Sequence, residues 1–233
     1  MVKAVFIDFY GTLVYEDDAV IKQVRKIISD TGVVKNYSDI GAYWWNEFQT
    51  MVNNAHGDSF VTQRELEYRS LQKTIDHFRS TADTAELSEM MFRHWTAPPA
   101  FPEAKQFFEK CPVPNYIVSN IDTSDINEAI AFHGFKPDGV FTSEDARSYK
   151  PRSELFEYAL SKTGFSPDEI IHIGDSLSSD VKGAGAAGIK AIWINRSDKT
   201  VPDGVIAVNN LLDIFLALRF FGSNGYGIMG FIR

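Results

Sequence analysis

The chain has 233 residues, which at roughly 150 residues per domain indicates one large domain or one domain with an insertion. Its 44% apolar and 23% charged residues exclude a disordered chain or a collagen-like repeat, and its single cysteine excludes an intramolecular disulfide. The 23 basic and 31 acidic residues give a net charge of −8, so we do not expect nucleic-acid binding, which usually needs a basic face.

Four short apolar runs along the chain have the character of strands that are buried on both faces. They are Ala4–Ile7, Tyr116–Val118, Ile170–Ile173 and Ala191–Ile194. Continuous apolar sequence is typical of parallel strands that are covered by helices on both sides. Helical patterns lie between these runs, at 154–162 and 180–187 for example. The alternation predicts an α/β fold with a parallel sheet.

The segment 15–96 has a different pattern, with helical spacing and almost no strand signal. One apolar stripe recurs at the helical period and consists of Val20, Ile21, Val24, Ile27 and Ile28. We expect Asp17 or Asp18 to cap the N-terminus of this helix. Thr96-Ala97-Pro98-Pro99 then breaks the helical pattern. The sequence therefore predicts a helical domain of residues 15–96, inserted into a core domain of residues 1–14 and 97–233.

Polar residues follow the predicted strands in a fixed order along the chain. They are Asp8, Tyr10 and Thr12 after the first strand, Ser119 and Asn120 after the second, Lys150 in a later loop, and Asp175, Ser176 and Asp180 after the fourth. Each group alone is an ordinary turn or helix cap. Since ligands of open parallel sheets bind beyond the carboxyl ends of the strands, the complete set predicts one small-molecule site.

Two of these carboxylates, Asp8 and Asp175, come directly after strands and are expected to lie close together. Such a pair repels unless a cation lies between the carboxylates or one of them is protonated. Mg²⁺ prefers oxygen ligands, often one or two carboxylates together with a substrate phosphate. The residues therefore indicate Mg²⁺ as a cofactor. Asp8 can also act as a covalent nucleophile, with Lys150 and Ser119 binding the group that is transferred.

Four motifs in this order resemble the haloacid dehalogenase (HAD) superfamily of hydrolases. They are IDFYGTL at 7–13, VSN at 118–120, YKP at 149–151 and IGDSLSSD at 173–180. The resemblance implies a doubly wound, Rossmann-like α/β core, with the helical insertion as a cap over the active site.

The same resemblance assigns roles to the polar residues. It implies that Asp8 is the nucleophile and that Ser119 and Lys150, beside Asn120, hold the reacting part of the substrate. It implies a metal site made by Asp8, Asp175 and the backbone carbonyl of Tyr10. Thr12, Ser176 and Asp180 would surround and orient these groups.

Tyr10 departs from the pattern of the family's phosphatases. These enzymes normally have Asp at this position, two residues after the nucleophile, and it protonates the leaving oxygen. General acid catalysis contributes roughly 10²–10⁴ in rate. The family's 2-haloacid dehalogenases have Tyr here, because a halide leaves without a proton. Tyr10 therefore points to carbon–halogen cleavage.

The fourth motif points towards phosphoryl chemistry. Dehalogenases that resemble this chain usually have Ser and Asn where this chain has Gly174-Asp175-Ser176, and they use no metal. The carboxylate of Asp175 would repel the carboxylate of a 2-haloacid. Dehalogenases also need a cap arginine to hold that carboxylate, for which Arg64 and Arg69 are candidates. Phe156 stands where these enzymes would have a tyrosine.

Three hypotheses about function remain open. The favoured one is a Mg²⁺-dependent phosphatase that acts on a small phosphorylated metabolite or on a substrate with a good leaving group. Asp122 or an acid of the insertion is then a candidate substitute for the missing general acid. The alternative is a metal-independent 2-haloacid dehalogenase. The third is a non-catalytic binding module on the same fold, against which the retained Asp8 argues.

Other features of the sequence carry weaker expectations. His172 is expected to be a core or rim residue. The aromatic cluster Tyr43, Trp44, Trp45 and Phe48 is expected to pack between cap helices, with the alternative that one or two of them face the substrate. The first apolar run is only four residues long, so no signal peptide and no membrane segment are expected. We expect a cytoplasmic protein, and nothing indicates its oligomeric state.

Overall fold

Six parallel strands form one sheet in the computed structural model, which describes residues 1–33 and 36–222. The strands are β1 Ala4–Ile7, β2 Asn115–Ser119, β3 Gly139–Thr142, β4 Ile170–Gly174, β5 Lys190–Ile194 and β6 Ile206–Val208. Their order is β3-β2-β1-β4-β5-β6, and each neighbouring pair is parallel. The strand order reverses beside β1, which is where open sheets of this kind bind ligands. The predicted doubly wound α/β fold is confirmed.

The central strands are buried on both faces, as their continuous apolar sequences predict. In β1, Val5 and Ile7 belong to one apolar cluster, whereas Ala4 and Phe6 belong to a second. This division follows from the alternation of side chains along a strand. The structure adds β3 and β6 at the edges of the sheet, which the sequence pattern does not reveal. β3 begins with a glycine and is mostly half-buried, while β6 has only three residues.

Ten α-helices surround the sheet within the described residues. Four of them lie within residues 15–96: α1 Asp18–Thr31, α2 Tyr37–Asn54, α3 Gln63–His77 and α4 Thr84–Thr96. The others are α5 Ala104–Lys110, α6 Thr123–His133, α7 Ser143–Ala146, α8 Glu154–Thr163, α9 Gly183–Ala186 and α10 Ile214–Gly222. None of the helices in the described ranges is long and apolar enough to cross a membrane. The glycine-rich tail beyond residue 222 lies outside the described residues, as do residues 34 and 35.

The helix predicted at 180–187 is replaced by two shorter elements. A π-helical turn covers Leu177–Lys182, and α9 follows directly. Gly183 is tightly packed, because a Cβ there would lie 3.0 Å from the ring of Phe156 and 3.1 Å from Pro151 Cα. Close packing therefore explains why a glycine stands at position 183, although glycine lowers helix propensity.

The insertion shares its apolar core with the sheet. Val24 and Ile28 of α1 are buried in the same cluster as Val5 and Ile7, and the rest of the predicted α1 stripe packs against that cluster. Asp17 takes the N-cap position of α1, but its side chain does not bond the helix backbone. Instead its Oδ2 accepts a hydrogen bond from Trp95 Nε1 at 3.1 Å. The expected capping bond is therefore absent, and the carboxylate of Asp17 links α1 to α4.

The start of α3 is fixed to the core by residues on and just before α6. The two carboxylate oxygens of Asp122 accept hydrogen bonds from the backbone amides of Gln63 and Arg64, at 2.7 and 2.9 Å. The guanidinium of Arg64 also pairs with the buried carboxylate of Asp125, with Nε 2.8 Å from Oδ2. Asp122 therefore acts as a cap for a helix that is distant in sequence.

Candidate active site

Asp8 lies at the carboxyl end of β1 and is almost fully buried. Its backbone amide donates to Ile173 O of β4, so the loop starts from a fixed point of the sheet. Thr12 Oγ1 lies 3.5 Å from Asp8 Oδ2 and 3.4 Å from Asp175 Oδ1, between the two carboxylates. The tight turn requires Gly11, which has φ of +80° and would place a Cβ 2.4 Å from the carboxylate of Asp175.

Lys150 is the centre of the buried polar network. Its Nζ donates to Asp8 Oδ1 at 2.7 Å, to Asp180 Oδ1 at 2.6 Å and to Val118 O at 3.0 Å, so all three ammonium hydrogens have acceptors. Asn120 fixes the lysine backbone, because its Oδ1 accepts from Lys150 N at 2.7 Å and its Nδ2 donates to Lys150 O at 3.0 Å. Burial alone would lower the pKa of Lys150, but the carboxylates of Asp180 and Asp8 raise it above its ordinary value.

The two acids after β4 have different surroundings. Asp180 is fully bonded: Oδ1 accepts from Lys150 and from His172 Nε2 at 2.9 Å, and Oδ2 accepts from Ser176 N at 2.9 Å. Burial raises the pKa of Asp180, but Lys150 and His172 outweigh it and hold that pKa below its usual range. Asp175 has only the long contact to Thr12 among the side chains of the described residues. The three hydrogen bonds of Lys150 Nζ go to Asp8, Asp180 and Val118 O, and none of them goes to Asp175.

Asp8 and Asp175 form a carboxylate pair with insufficient positive charge beside it. Each of Asp8, Asp175 and Asp180 has an oxygen within 4.8 Å of the others. Burial, opposed by Lys150 and reinforced by Asp180, raises the pKa of Asp8 to about 6. Burial and the charge of Asp8 raise the pKa of Asp175 to about 7. Because the oxygens of Asp180 are already bonded, Asp8 and Asp175 are the carboxylates that fit a divalent cation.

Ser119 and Tyr10 lie beside the carboxylate pair. Ser119 is 2% exposed, and its hydroxyl has no hydrogen-bond partner among the described residues, although it faces the cavity. Tyr10 donates its hydroxyl hydrogen to Trp95 O at 2.6 Å, and burial together with Asp125 raises its pKa well above 10. The hydroxyl of Tyr10 is therefore hydrogen-bonded to the backbone of α4 and is a poor acid for protonating a leaving group.

A cavity of about 410 Å³ opens over these groups. The predicted site residues that line it are Asp8, Tyr10, Ser119, Asn120, Lys150, Asp175, Ser176 and Asp180; Thr12 lies behind Asp8 and Asp175. The insertion supplies a second part of the wall, which includes Glu16, Asp17, Trp45, Phe48 and Trp95. The sequence analysis named Trp45 and Phe48 as alternatives for the pocket and offered an unspecified acid of the insertion for the site, but it did not place Glu16, Asp17 or Trp95 at the cavity. Their positions depend on how the insertion packs over the sheet, for which the sequence has no local signal.

A family model described as haloacid dehalogenase-like hydrolase matches residues 2–188. The chain belongs to this family. The resemblance inferred from the four motifs is therefore confirmed, and the chain is an HAD-like hydrolase. Membership leaves the reaction open, since related folds support different chemistry.

Relatives of this hydrolase include both phosphatases and dehalogenases. A phosphoserine phosphatase of Thermus thermophilus is 30% identical over 144 residues, which cover 57% of this chain and 56% of that protein. The chain thus spans little more than half the length of that relative. The (S)-2-haloacid dehalogenase 4A of Burkholderia cepacia is 25% identical over 217 residues, which cover 83% of each chain.

Solved structures share the fold over almost the whole chain. The HAD-hydrolase YfnB of Bacillus subtilis, whose structure is described as bound to magnesium, has a TM-score of 0.73 at 20% identity. That alignment covers 94% of this chain and 99% of YfnB. L-2-haloacid dehalogenases are among the other structures with this fold.

The arginines that a dehalogenase would need lie elsewhere in this HAD-like hydrolase. Arg64 pairs with Asp125, and Arg69 pairs with Glu65 on the exposed side of α3. Neither arginine lines the cavity. Asp122, the candidate substitute acid, is also bonded away from the cavity at the start of α3.

The aromatic residues that the sequence analysis named take different positions in the structure. Trp45 and Phe48 line the cavity, with Trp45 64% exposed, whereas Trp44 is buried within the insertion. His172 is fully buried, as expected of a core residue, but it also donates to Asp180. Phe156 packs edge-on against the ring of His172 at 4.8 Å rather than in the cavity.

Proposed function

We propose that the chain is a Mg²⁺-dependent phosphatase that acts on a small phosphorylated metabolite. The observation that carries this proposal is the buried pair of Asp8 and Asp175, which lacks enough positive charge to balance it. A divalent cation between the two carboxylates removes their repulsion. The magnesium in the structure of YfnB supports the choice of metal.

The residues have distinct roles in this proposal. Asp8 attacks phosphorus in line and forms an aspartyl-phosphate, which water then hydrolyses. Lys150 holds Asp8 in place by its bond to Oδ1 and neutralises charge on the phosphoryl oxygens. Ser119 donates its free hydroxyl hydrogen to a phosphoryl oxygen. When bound, Mg²⁺ would be held by Asp8, Asp175 and the carbonyl of Tyr10, and it would supply electrostatic stabilisation of the transferring group.

The helices α1 to α4 serve as a cap in this proposal. They supply one wall of the cavity, and the core residues at the strand ends supply the other. Closure of such a cap excludes bulk water from the reacting groups. We keep the domain division of the sequence, with residues 15–96 as the cap and residues 1–14 and 97–233 as the core.

Dehalogenation is the second candidate, and Tyr10 is the observation that favours it. An alkoxide needs a proton to leave, whereas a halide does not. Against it, no arginine lines the cavity in the described part of the chain to bind the carboxylate of a 2-haloacid. Asp175 adds negative charge where that carboxylate would lie. We therefore favour phosphoryl transfer to water, on a substrate whose leaving group needs little help from an acid.

The test compares three substrates with and without EDTA. They are p-nitrophenyl phosphate, acetyl phosphate and 2-chloropropionate, and the products measured are inorganic phosphate and chloride. We expect phosphate release that requires Mg²⁺ and disappears in Asp8→Asn. Chloride release that is insensitive to EDTA would establish the dehalogenase instead. Binding without any turnover would support the non-catalytic module.

A further inference from the structure

The cavity over Asp8 has two chemically different ends. One end holds the free hydroxyl of Ser119 together with Asp8 and Lys150. The side chain of Ser119 lines the cavity, so its hydroxyl can donate a hydrogen bond to a bound ligand, which the proposed function identifies as the phosphoryl group. The other end is made by the insertion and borders the part of the substrate that leaves.

The leaving-group end carries acids that no cation balances. Glu16 and Asp17 both line the cavity, and neither forms an ion pair with a side chain in the described ranges. Asp17 accepts one hydrogen bond, from the neutral indole of Trp95. Burial and the neighbouring acids raise the pKa of Glu16 well above its usual value, and burial raises the pKa of Asp17. A cation beside these residues favours their ionised form, whereas a phosphate ester alone adds negative charge. Without a compensating positive charge, the acids of this wall would weaken substrate binding.

The protein supplies no such positive charge from the cavity wall. Lys150 is the lining residue with a cationic side chain, within the described part of the chain, and its three hydrogens already have acceptors. A divalent cation beside Asp8 and Asp175 would balance those two acids. Asp17 is not among the acids that raise the pKa of Asp8 or Asp175, whereas Glu16 feels the charges of both, so that cation would balance Glu16 in part and leave Asp17 without a cationic partner.

Aromatic side chains of the insertion also line the cavity. Trp45 and Phe48 stack on each other with centroids 6.3 Å apart, and Trp95 lies on the wall next to Asp17. Faces of aromatic rings attract cations, and quaternary or primary ammonium groups are the usual organic ligands of such sites. Acids and aromatic rings together therefore select a positive charge better than either does alone.

We infer that the leaving group of the substrate carries an ammonium group, so that the substrate is a phosphate monoester of an amino alcohol. This inference rests on the proposed phosphatase function and adds the class of its substrate. The ammonium would lie between the carboxylates of Glu16 and Asp17 and the rings of Trp45 and Trp95.

The same charge suits a site that has Tyr10 instead of an acidic residue. In the first step an oxygen of Asp8 bonds to phosphorus, the ester P–O bond breaks, and the electron pair goes to the alcohol oxygen. A nearby ammonium withdraws electrons and stabilises that oxygen as it leaves. Water then cleaves the aspartyl-phosphate. Over the two steps one water is consumed: its oxygen and one proton enter inorganic phosphate, and its other proton goes to the alcohol.

The test uses pairs of substrates that differ in charge but not in shape. The pairs are phosphocholine with 3,3-dimethylbutyl phosphate, and phosphoethanolamine with propyl phosphate, each assayed with Mg²⁺. In at least one of the two pairs, we expect kcat/KM to be at least about tenfold higher for the cationic substrate than for its counterpart without an ammonium group. The ratio should shrink at roughly 0.5 M NaCl, because salt screens charges near the mouth of the cavity.

Two variants assign the preference to the acids. Glu16→Gln and Asp17→Asn should each lower the ratio by about threefold or more. In the second variant the new amide oxygen can still accept the hydrogen bond from Trp95. Glu86→Gln is the matched control, because Glu86 is an exposed acid of α4 that does not line the cavity. It should leave the ratio unchanged.

The outcomes separate this inference from the proposed function. Hydrolysis of p-nitrophenyl phosphate with equal rates in both pairs overturns the ammonium inference and leaves the phosphatase in place. A cationic preference that survives in both variants overturns the assignment to Glu16 and Asp17. Failure to release phosphate from any ester overturns the phosphatase and the inference together.

Discussion

Replacing Asp175 by Asn should stabilise the metal-free protein much more at pH 8 than at pH 5. The pKa of Asp175 is raised from 3.8 to about 7 by burial and by the charge of Asp8. A carboxyl whose pKa is higher in the folded state stabilises the fold below its unfolded pKa, and that contribution is lost as the pH rises through the folded pKa. Asp175 therefore lowers the stability of the metal-free protein increasingly between about pH 4 and pH 7, and a neutral amide does not.

The size of this effect follows from the shift in pKa. A shift of about three units corresponds to roughly 4 kcal/mol in the free energy of unfolding, fully developed above pH 7. For a chain of this size, this is a gain of roughly 10 °C in melting temperature, as an upper limit. Mg²⁺ should give the wild-type protein a similar gain at pH 8 and little at pH 5, because it competes with protons for the carboxylates.

The assay is thermal and urea denaturation in EDTA and in Mg²⁺, at pH 5, 6, 7 and 8. Asp39→Asn serves as the control, because Asp39 is an exposed acid on α2. It should change stability little at any pH. Parallel pH curves for wild type and Asp175→Asn in EDTA would refute the reasoning, because they would mean that Asp175 has an unrecognised partner.

Three further predictions concern single side chains. Tyr10→Asp should raise kcat for an alkyl phosphate relative to p-nitrophenyl phosphate by at least about tenfold, since it restores a general acid, and an unchanged ratio would contradict this. Lys150→Met should abolish turnover and lower the free energy of unfolding by roughly 3–5 kcal/mol, because it leaves buried carboxylates unpaired; a stable, active variant would disprove the role of the network. Arg64→Ala should destabilise the protein by about 1–2 kcal/mol, reduced by the partial exposure of Arg64, while KM stays within about twofold. A large rise in KM would instead place Arg64 in substrate binding.

The strands that could be predicted are those whose burial on both faces requires a continuous apolar sequence. β1 and β4 are covered on both faces and have continuous apolar sequences. β3 and β6 form the edges, are partly exposed and lack that pattern. The site residues of the core domain could also be predicted, because parallel strands bring the residues after each strand to one edge of the sheet.

The rest of the site depends on packing between distant segments. Glu16, Asp17 and Trp95 face the cavity because the insertion folds over the strand ends, and no local pattern encodes that contact. The direction of Arg64 is likewise decided by Asp125, 61 residues away in the chain. Alternation along β4 places His172 on the same side as Gly174, but only the π-helical turn brings Asp180 to it.

The attachment of α3 to the start of α6 holds the first turn of α3 by hydrogen bonds and an ion pair, whereas its last turn packs through apolar contacts in the shared core. Asp122 and Asp125 hold the first residues of α3, while its last turn, at His77, lies roughly 22 Å further on. A rotation of about 10° about the fixed end would move that last turn by roughly 4 Å and leave the first turn almost still. The entrance to the cavity would then widen by rotation of α3 about its first turn, without loss of the contacts between that turn and the core. Asp122 and Asp125 belong to the core, so their contacts would keep the first turn of α3 in place while the rest of the helix moves.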